Sequence, residues 1–155
     1  MLSCFNVLMR YIGIDYGSKK VGIALSDESA TLAFPKEVLE NNKGLIEAIK
    51  KICQGEKVEG IIVGESYDEK GEPNKIMAKI FLFKKKITDE IELPVYGEKE
   101  FFTTIEARRY QDRKDADASA AALILQRFLD KKSLGTGTTK AGHPNEEKTK
   151  VGHAN

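Results

Sequence analysis

The sequence of 155 residues is poor in cysteine: it contains only Cys4 and Cys53, which lie far apart and match no Cys-x-x-Cys or Cys/His spacing. This pattern excludes a disulfide framework and the known zinc-site spacings, and it favours a reducing compartment. No stretch reaches the roughly 18 apolar residues that a membrane span needs. The short apolar opening is followed by no small-residue cleavage site. We therefore expect a cytoplasmic protein.

The chain also lacks an excess of charge of either sign. Charged residues make up 32% of it, yet the formal net charge is only +1. Nucleic-acid-binding domains often have a strong basic excess, so this total counts against such a function. It does not exclude one, because a basic patch can coexist with an acidic site. The hydrophobic share of 41% is enough for a real core in one domain.

Hydrophobic periodicity divides the chain into three strands followed by alternating helices and strands. Asn42 is predicted to be the N-cap of the first helix, and Pro35 indicates that the third strand lies at a sheet edge. This order predicts an α/β fold with a five-stranded mixed sheet, an antiparallel meander then parallel strands, and helices on both faces. The predicted strands are residues 9–15, 21–25, 31–39, 58–63 and 93–96, and the predicted helices are residues 43–54, 75–87, 102–110 and 116–131.

We expect a single folded domain over residues 9–132. Met9 directly precedes the first predicted strand, so residues 1–8 are interpreted as an N-terminal extension without function. From Ser133 onward the composition changes to Gly, Thr, Lys, Glu and Asn with almost no apolar residue. Such a segment cannot bury a core, and residues 133–155 are therefore predicted to be a disordered tail.

Two aspartates are the sharpest candidates for chemistry. Asp15 ends the first predicted strand, and the Tyr16-Gly17 step that follows lets the backbone approach a phosphate or a metal closely. Asp117 begins the stripe of the last helix that spacings of three and four residues assign to its buried face. The alternatives are that Asp15 only caps the turn and that Asp117 only complements the helix dipole, which explains Asp117 less well because a cap need not point inward. Together, however, the two favour a polar site.

A hard-cation site needs a third acid. Mg²⁺ prefers oxygen ligands, and two such ions can stabilise the attacking and leaving oxygens during phosphodiester cleavage. The candidates are Glu65 after the fourth predicted strand, and Glu98 and Glu100 after the fifth. Each follows a strand that we expect to run parallel to the first, and ligands bind at the carboxyl ends of such strands. The residues alone leave the choice open.

Four segments of the chain resemble motifs of the YqgF family, which are ribonuclease-H-like proteins described as Holliday junction resolvases and as nucleases that process the 5′ end of pre-16S ribosomal RNA. The segments are residues 11–27, 61–64, 94–107 and 117–126. The resemblance implies a ribonuclease-H-like fold and a hydrolase that depends on Mg²⁺ or Mn²⁺. It also implies that Asp15, Glu100 and Asp117 are the catalytic residues and the metal ligands.

The chain departs from the family pattern at three places, one of which is a shorter stretch between Thr104 and Asp117. The family's Asp-Glu-Arg triplet is Lys99-Glu100-Phe101 here, and the loop after the fourth strand begins with Glu65-Ser66 instead of Leu-Pro. Related resolvases of the same fold carry a catalytic Glu at the end of that strand, so Glu65 is the alternative third acid. These departures also leave open a catalytically inactive member that only binds nucleic acid.

Basic residues predict where phosphates of a nucleic acid bind. The first candidates flank the proposed site; they are Lys19, Lys20, Arg108, Arg109, Arg113 and Lys114. Residues 75–86 contain five lysines and no acid. A solvated surface explains that run equally well, because exposed helix faces are often rich in lysine.

We expect a nuclease whose substrate is structured RNA, with processing of pre-16S rRNA in ribosome biogenesis as the leading function and resolution of branched DNA as the alternative. A phosphotransferase or ATPase of the actin-like kind shares the Asp-x-Gly hairpin. That fold usually needs two such domains, and the chain has no Walker A pattern. The oligomeric state stays open, since a symmetric resolvase needs a homodimer with two sites and trimming of an RNA end does not.

Overall fold

A computed structural model describes residues 8–102 and 118–135 of the protein. In this part of the chain one sheet with the strand order β3-β2-β1-β4-β5 lies between helices. The strands β1, β2 and β3 are antiparallel neighbours, whereas β1, β4 and β5 are parallel. The elements are β1 (Arg10–Tyr16), β2 (Lys20–Ser26), β3 (Ala33–Glu40), α1 (Leu45–Gly55), β4 (Val58–Asp68), α2 (Met77–Glu90), β5 (Val95–Phe102) and α3 (Ala118–Ser133). The predicted mixed sheet is confirmed.

The sheet has a separate hydrophobic core on each face. Side chains alternate along a strand, so Ile12 and Ile14 of β1 pack in the core that α1 and α2 cover, whereas Tyr11 packs in the core that α3 covers. Both cores are made of buried side chains that are mainly aliphatic and aromatic. The prediction of helices on both faces is therefore confirmed.

The helix α3 lies unusually close to β1 because Gly13 has no side chain. A Cβ atom at Gly13 would lie 2.7 Å from Cβ of Leu125 and 2.8 Å from the backbone oxygen of Ala121. Further back on the strand, the ring of Tyr11 packs edge-on against Phe128 at 5.6 Å between centroids. Later residues of β1 thus meet earlier residues of α3. The helix runs antiparallel to the strand and begins near the strand's carboxyl end.

The parallel strands β4 and β5 are both longer than predicted. β4 continues to Asp68 and β5 to Phe102, and they stay paired from Ile61 with Val95 to the end of both strands. Glu65, Glu98 and Glu100 therefore lie within strands and not after them, and the predicted ends of these strands at residues 63 and 96 were wrong. Polar side chains are accommodated in these covered strands because each glutamate meets a basic side chain from a helix.

Smaller differences concern the ends of other elements. Asn42 is not the N-cap of α1, which begins at Leu45; its Oδ1 instead accepts a hydrogen bond from the backbone N–H of Gly44 at 2.9 Å in the preceding turn. The edge position of β3, which carries Pro35, is confirmed. The predicted helix over residues 102–110 falls, from residue 103 onward, outside the described residues, as do residues 1–7 and 136–155. No helix in the described ranges is long and apolar enough to span a membrane.

Candidate active site

Asp15 is buried at the carboxyl end of β1, on the face of the sheet that α3 covers. Its neighbour Ile14 faces the opposite core, and Asp15 itself is 2% exposed. In the strand register it pairs with Gly22 of β2. Continuing the parallel register one step beyond Ile14 and Val63 places Gly64 of β4 on its other side. Neither flanking residue has a side chain, and Ile124 of α3 packs directly over Gly64 on this face.

Two glutamates of β5 point to the same face as Asp15. Glu98 is buried and accepts hydrogen bonds from Nζ of Lys131 at 2.9 and 2.6 Å. Glu100, two residues later, accepts one from Nη1 of Arg127 at 2.5 Å. Both basic residues belong to α3 and are one helical turn apart. The acids of β5 and the bases of α3 thus form a ladder of two ion pairs along the edge of the candidate site.

Asp15, Glu98 and Glu100 are close enough that the first two affect the pKa of the third. Burial raises the pKa of Glu100 to about 7; the Arg127 guanidinium opposes this rise, and the negative charges of Asp15 and Glu98 add to it. Their mutual repulsion is the kind of strain that a bound divalent cation relieves, and carboxylate oxygens are the ligands that Mg²⁺ and Mn²⁺ prefer. Asp15 and Glu100 therefore fit a hard-cation site by charge and by donor type.

Glu65 lies on the opposite face of the sheet. Its carboxylate accepts hydrogen bonds from Nζ of Lys84, a buried lysine of α2, and from the hydroxyl of Tyr67 at 3.2 Å. Gly97 of β5 makes room for it, since a Cβ atom there would overlap the carboxylate. Burial raises the pKa of Tyr67, and the negative charge of Glu65 adds to that rise. The sheet itself therefore separates Glu65 from Asp15 and Glu100.

Asp117 and four of the predicted phosphate contacts lie outside the described residues; these four are Arg108, Arg109, Arg113 and Lys114. Asp117 directly precedes Ala118, where α3 begins. Within residues 8–102 and 118–135, no three Asp, Glu, His or Cys residues are grouped closely enough to hold a metal ion.

The other predicted phosphate contacts, Lys19 and Lys20, lie at the turn that follows Asp15. Lys19 is exposed in the turn and Lys20 begins β2. Asn41 fixes this turn: its backbone N–H donates to the oxygen of Lys19, and its Nδ2 donates to the oxygen of Gly17, both at 2.8 Å. Both lysines are therefore close in the chain to the candidate acid, on a turn whose backbone is held in place.

Arg127 and Lys131 are the site residues that sequence reasoning missed. The sequence did contain a hint of these ion pairs. Two bases four residues apart on a helix are separated by about 6 Å along its axis, and two acids two residues apart on a strand are separated by about 7 Å. The two spacings are close enough for the bases to pair with the acids. This match becomes visible only when Glu98 and Glu100 are known to lie within a strand.

The architecture is that of the ribonuclease-H-like fold. The structure is similar to Thermus thermophilus RuvC solved with a Holliday junction substrate, with a TM-score of 0.53 and 19% sequence identity over 86% of this chain and 99% of that one. It is equally similar to another T. thermophilus RuvC structure, with a TM-score of 0.52 and 18% identity. Identities this low show the fold alone.

The chain belongs to the RuvX family, whose model is described as "Holliday junction resolvase" and matches residues 9–131. It is 35% identical over 130 residues to a Rickettsia akari protein, an alignment that covers 77% of this chain and 84% of that protein. It is also 35% identical over 138 residues to a Lactobacillus acidophilus protein, covering 79% and 96%. Both relatives are named "Putative pre-16S rRNA nuclease". RuvX and YqgF are two names for one family, so the resemblance to the YqgF family is confirmed.

Proposed function

We propose that this protein is a metal-dependent nuclease that hydrolyses phosphodiester bonds during 5′-end processing of pre-16S rRNA in the cytoplasm. The observation that carries the proposal is the convergence of Asp15 and Glu100. They lie on one face of the sheet, toward the carboxyl ends of two parallel strands, and the charge of one raises the pKa of the other. The names of the relatives support a ribosomal RNA precursor as the substrate.

In this proposal Asp15, Glu100 and Asp117 hold the metal ions. When bound, Mg²⁺ or Mn²⁺ supplies a Lewis acid and an activated water at neutral pH. Asp15 offers a carboxylate that its position within the sheet holds rigidly, and Glu100 offers a second one from β5. Asp117 immediately precedes α3, whose first turns pack against Gly13, two residues before Asp15. This packing supports Asp117 as the third ligand.

Glu100, and not Glu65, is the acid that we assign to the site. Glu65 is occupied by Lys84 and Tyr67 on the other face of the sheet. Glu100 faces the same side as Asp15 and is paired with Arg127, whose side chain is 54% exposed. An exposed guanidinium can leave its partner when a cation arrives. We assign phosphate binding to Lys19 and Lys20, and to the four basic residues of the segment before Asp117 that are named above.

Branched DNA is the second candidate substrate, because the family model is described as a Holliday junction resolvase. Symmetric cleavage of a four-way junction needs two active sites, so that function requires a homodimer. The two candidates differ in substrate and assembly while the acid site stays the same.

The decisive experiment incubates the purified protein with Mg²⁺ or Mn²⁺ on a 16S rRNA precursor carrying its 5′ extension and, in parallel, on a four-way DNA junction. Asp15→Asn is expected to abolish cleavage, and Asp130→Asn, at an exposed aspartate of α3, is the matched control that keeps it. Cleavage that survives in Asp15→Asn would refute the proposal. Cleavage of the junction but not of the RNA would make branched DNA the substrate. Binding of either nucleic acid without cleavage would indicate a catalytically inactive member of the family.

A further inference from the structure

A groove of about 500 Å³ lies between the start of α1 and the exposed side of α2, away from the acids. Its floor is apolar and includes Leu45, Ile46 and Phe83. Leu82 also lines it and is 68% exposed, which is unusual for a large apolar side chain. The volume falls in the range of small-ligand sites, about 300–1,000 Å³. Neither the proposed metal site nor the turn at Lys19 accounts for this surface.

The rim of the groove is basic. Among the residues that the structure describes, Lys43, Lys79, Lys85 and Lys86 line it together with a single acid, Asp89. The surface therefore carries a local excess of three positive charges, although the whole chain has a net charge of only +1. An excess of this kind over an apolar floor favours a ligand that is itself part anionic and part apolar.

An aromatic ring closes the groove at the end of β1. Tyr16 lines the groove and is held there by its packing against Phe83, with 4.6 Å between ring centroids. Tyr16 is half-buried, so part of its ring stays available. A lysine-lined groove with an aromatic surface is the combination by which proteins bind single-stranded nucleic acid: lysines contact the phosphates and rings stack on unpaired bases. Bases within a duplex are stacked on each other and cannot use such a surface.

The groove lies on the opposite face of the sheet from the acids, at the same end of β1. Tyr16 follows Asp15 directly at the carboxyl end of β1, and the two side chains point to opposite faces of the sheet. Asn41, which lines the groove, is also the residue that holds the turn at Gly17 and Lys19. Through Asn41 the groove therefore adjoins the turn that carries Lys19, the predicted phosphate contact nearest to Asp15 in the chain.

We propose that this groove binds a single-stranded segment of the substrate next to the scissile phosphate. The inference rests on the proposed nuclease function and specifies its substrate class: a nucleic acid with an unpaired flank at the cleavage site. Phosphates of the flank contact the lysines of α2, and a base stacks on Tyr16.

The test is fluorescence anisotropy with a labelled 12-nucleotide single-stranded RNA of mixed sequence in EDTA, where no cleavage can occur. The double variant Lys79→Glu/Lys86→Glu is expected to weaken binding about tenfold or more and to reduce the slope of log affinity against log salt by about 1.4. The matched control is Lys50→Glu/Lys51→Glu, which reverses two charges on α1 outside the groove. It is expected to change the affinity less than twofold.

A second variant tests the aromatic contact. Tyr16→Leu keeps an apolar side chain against Phe83 but removes the ring, and it is expected to weaken binding at least about fivefold. Equal affinities of Lys79→Glu/Lys86→Glu and its control would overturn the inference. Tighter binding of a labelled glutamate-rich peptide than of the RNA would overturn it as well, and would assign the groove to an acidic protein partner.

The proposed metal site and the proposed groove can be refuted independently of each other. Asp15→Asn is measured in the same binding assay and is expected to bind the RNA at least as tightly as the unmodified protein, because a negative charge has been removed. Loss of cleavage without loss of binding supports the metal site alone. Wild-type binding by the groove variants would refute the groove while leaving the metal site untouched.

Discussion

Arg127 donates a hydrogen bond to Glu100 across 2.5 Å, so that a cation of the protein itself neutralises the acid proposed to bind a metal. The guanidinium is half exposed and the carboxylate is largely buried. Two positive charges, one from the helix and one from the bound ion, therefore compete for the same carboxylate. This competition leads to the first prediction.

Arg127→Ala is expected to tighten Mn²⁺ binding about two- to fivefold, because an exposed ion pair is worth about 0–1 kcal/mol and the metal no longer has to displace it. Titration calorimetry on the substrate-free protein measures this. Lys51→Ala, at an exposed lysine of α1, is the control and should not change the affinity. Weaker Mn²⁺ binding in Arg127→Ala would show that the guanidinium instead holds Glu100 in position.

The raised pKa of Glu100 predicts that the free energy of unfolding depends on pH in metal-free buffer. Its pKa is about 7 in the folded protein and returns to about 4.5 on unfolding, so between these values unfolding releases a proton. The free energy of unfolding should fall by about 3 kcal/mol as the pH rises through this window and then level off. Urea unfolding in EDTA from pH 4.5 to 8 should show that Glu100→Gln lacks this fall.

The control for that series is Glu92→Gln, which changes an exposed glutamate before β5. It should reproduce the pH profile of the unmodified protein. If Glu100→Gln also reproduced that profile, the pKa of Glu100 would not be raised in the folded protein, and the proximity of the three acids would lose its electrostatic support.

Gly13→Ala is expected to destabilise the protein by about 1–3 kcal/mol, because the new methyl group meets the backbone of α3 and cannot be accommodated by a rotamer change. Gly64→Ala should cost less, since the atom it meets at 2.6 Å is the terminal methyl group of Ile124. Gly55→Ala meets nothing within 4 Å and should be neutral or slightly stabilising. Urea unfolding of the three variants gives the ranking, and equal losses would contradict the close approach of α3.

Glu65→Gln is expected to cost about 3 kcal/mol, because it leaves the buried ammonium of Lys84 without its counter-charge. The double variant Glu65→Gln/Lys84→Met removes both charges and should recover much of this loss. Since both residues lie on the far face of the sheet, the double variant should keep metal-dependent cleavage per folded molecule. Its inactivity alongside an active Glu100→Gln would reassign the third acid to Glu65.

Most of the fold could be predicted from hydrophobic periodicity. Alternating and continuous apolar runs defined the strands around Ile12 and Ile62, and the spacing of Leu45 and Ile49 defined α1. The carboxyl ends of β4 and β5 could not be predicted in this way, because Glu65 and Glu100 are polar and polarity indicates a loop in a single sequence. Their ion pairs with residues distant in the chain are what keep these polar segments in the sheet.

The candidate site was predictable only in part for the same reason. Asp15 stood out because an acid directly follows a hydrophobic run. The choice between Glu65 and Glu100 depends on which face of the sheet each side chain reaches, and that follows from strand pairing, which the sequence does not display. Arg127 became recognisable only after β5 and α3 were placed side by side.

The strict alternation along β5 has a consequence for insertions and deletions. Gly97 makes room for Glu65 on one face while Glu98 and Glu100 serve the other. A slip of one residue would transfer every side chain of the strand to the opposite face. Both acids would then lie beside the buried Glu65, and Lys99 would face Asp15. Single-residue changes in the length of the short connection between α2 and β5 should therefore be selected against more strongly than most substitutions within the strand.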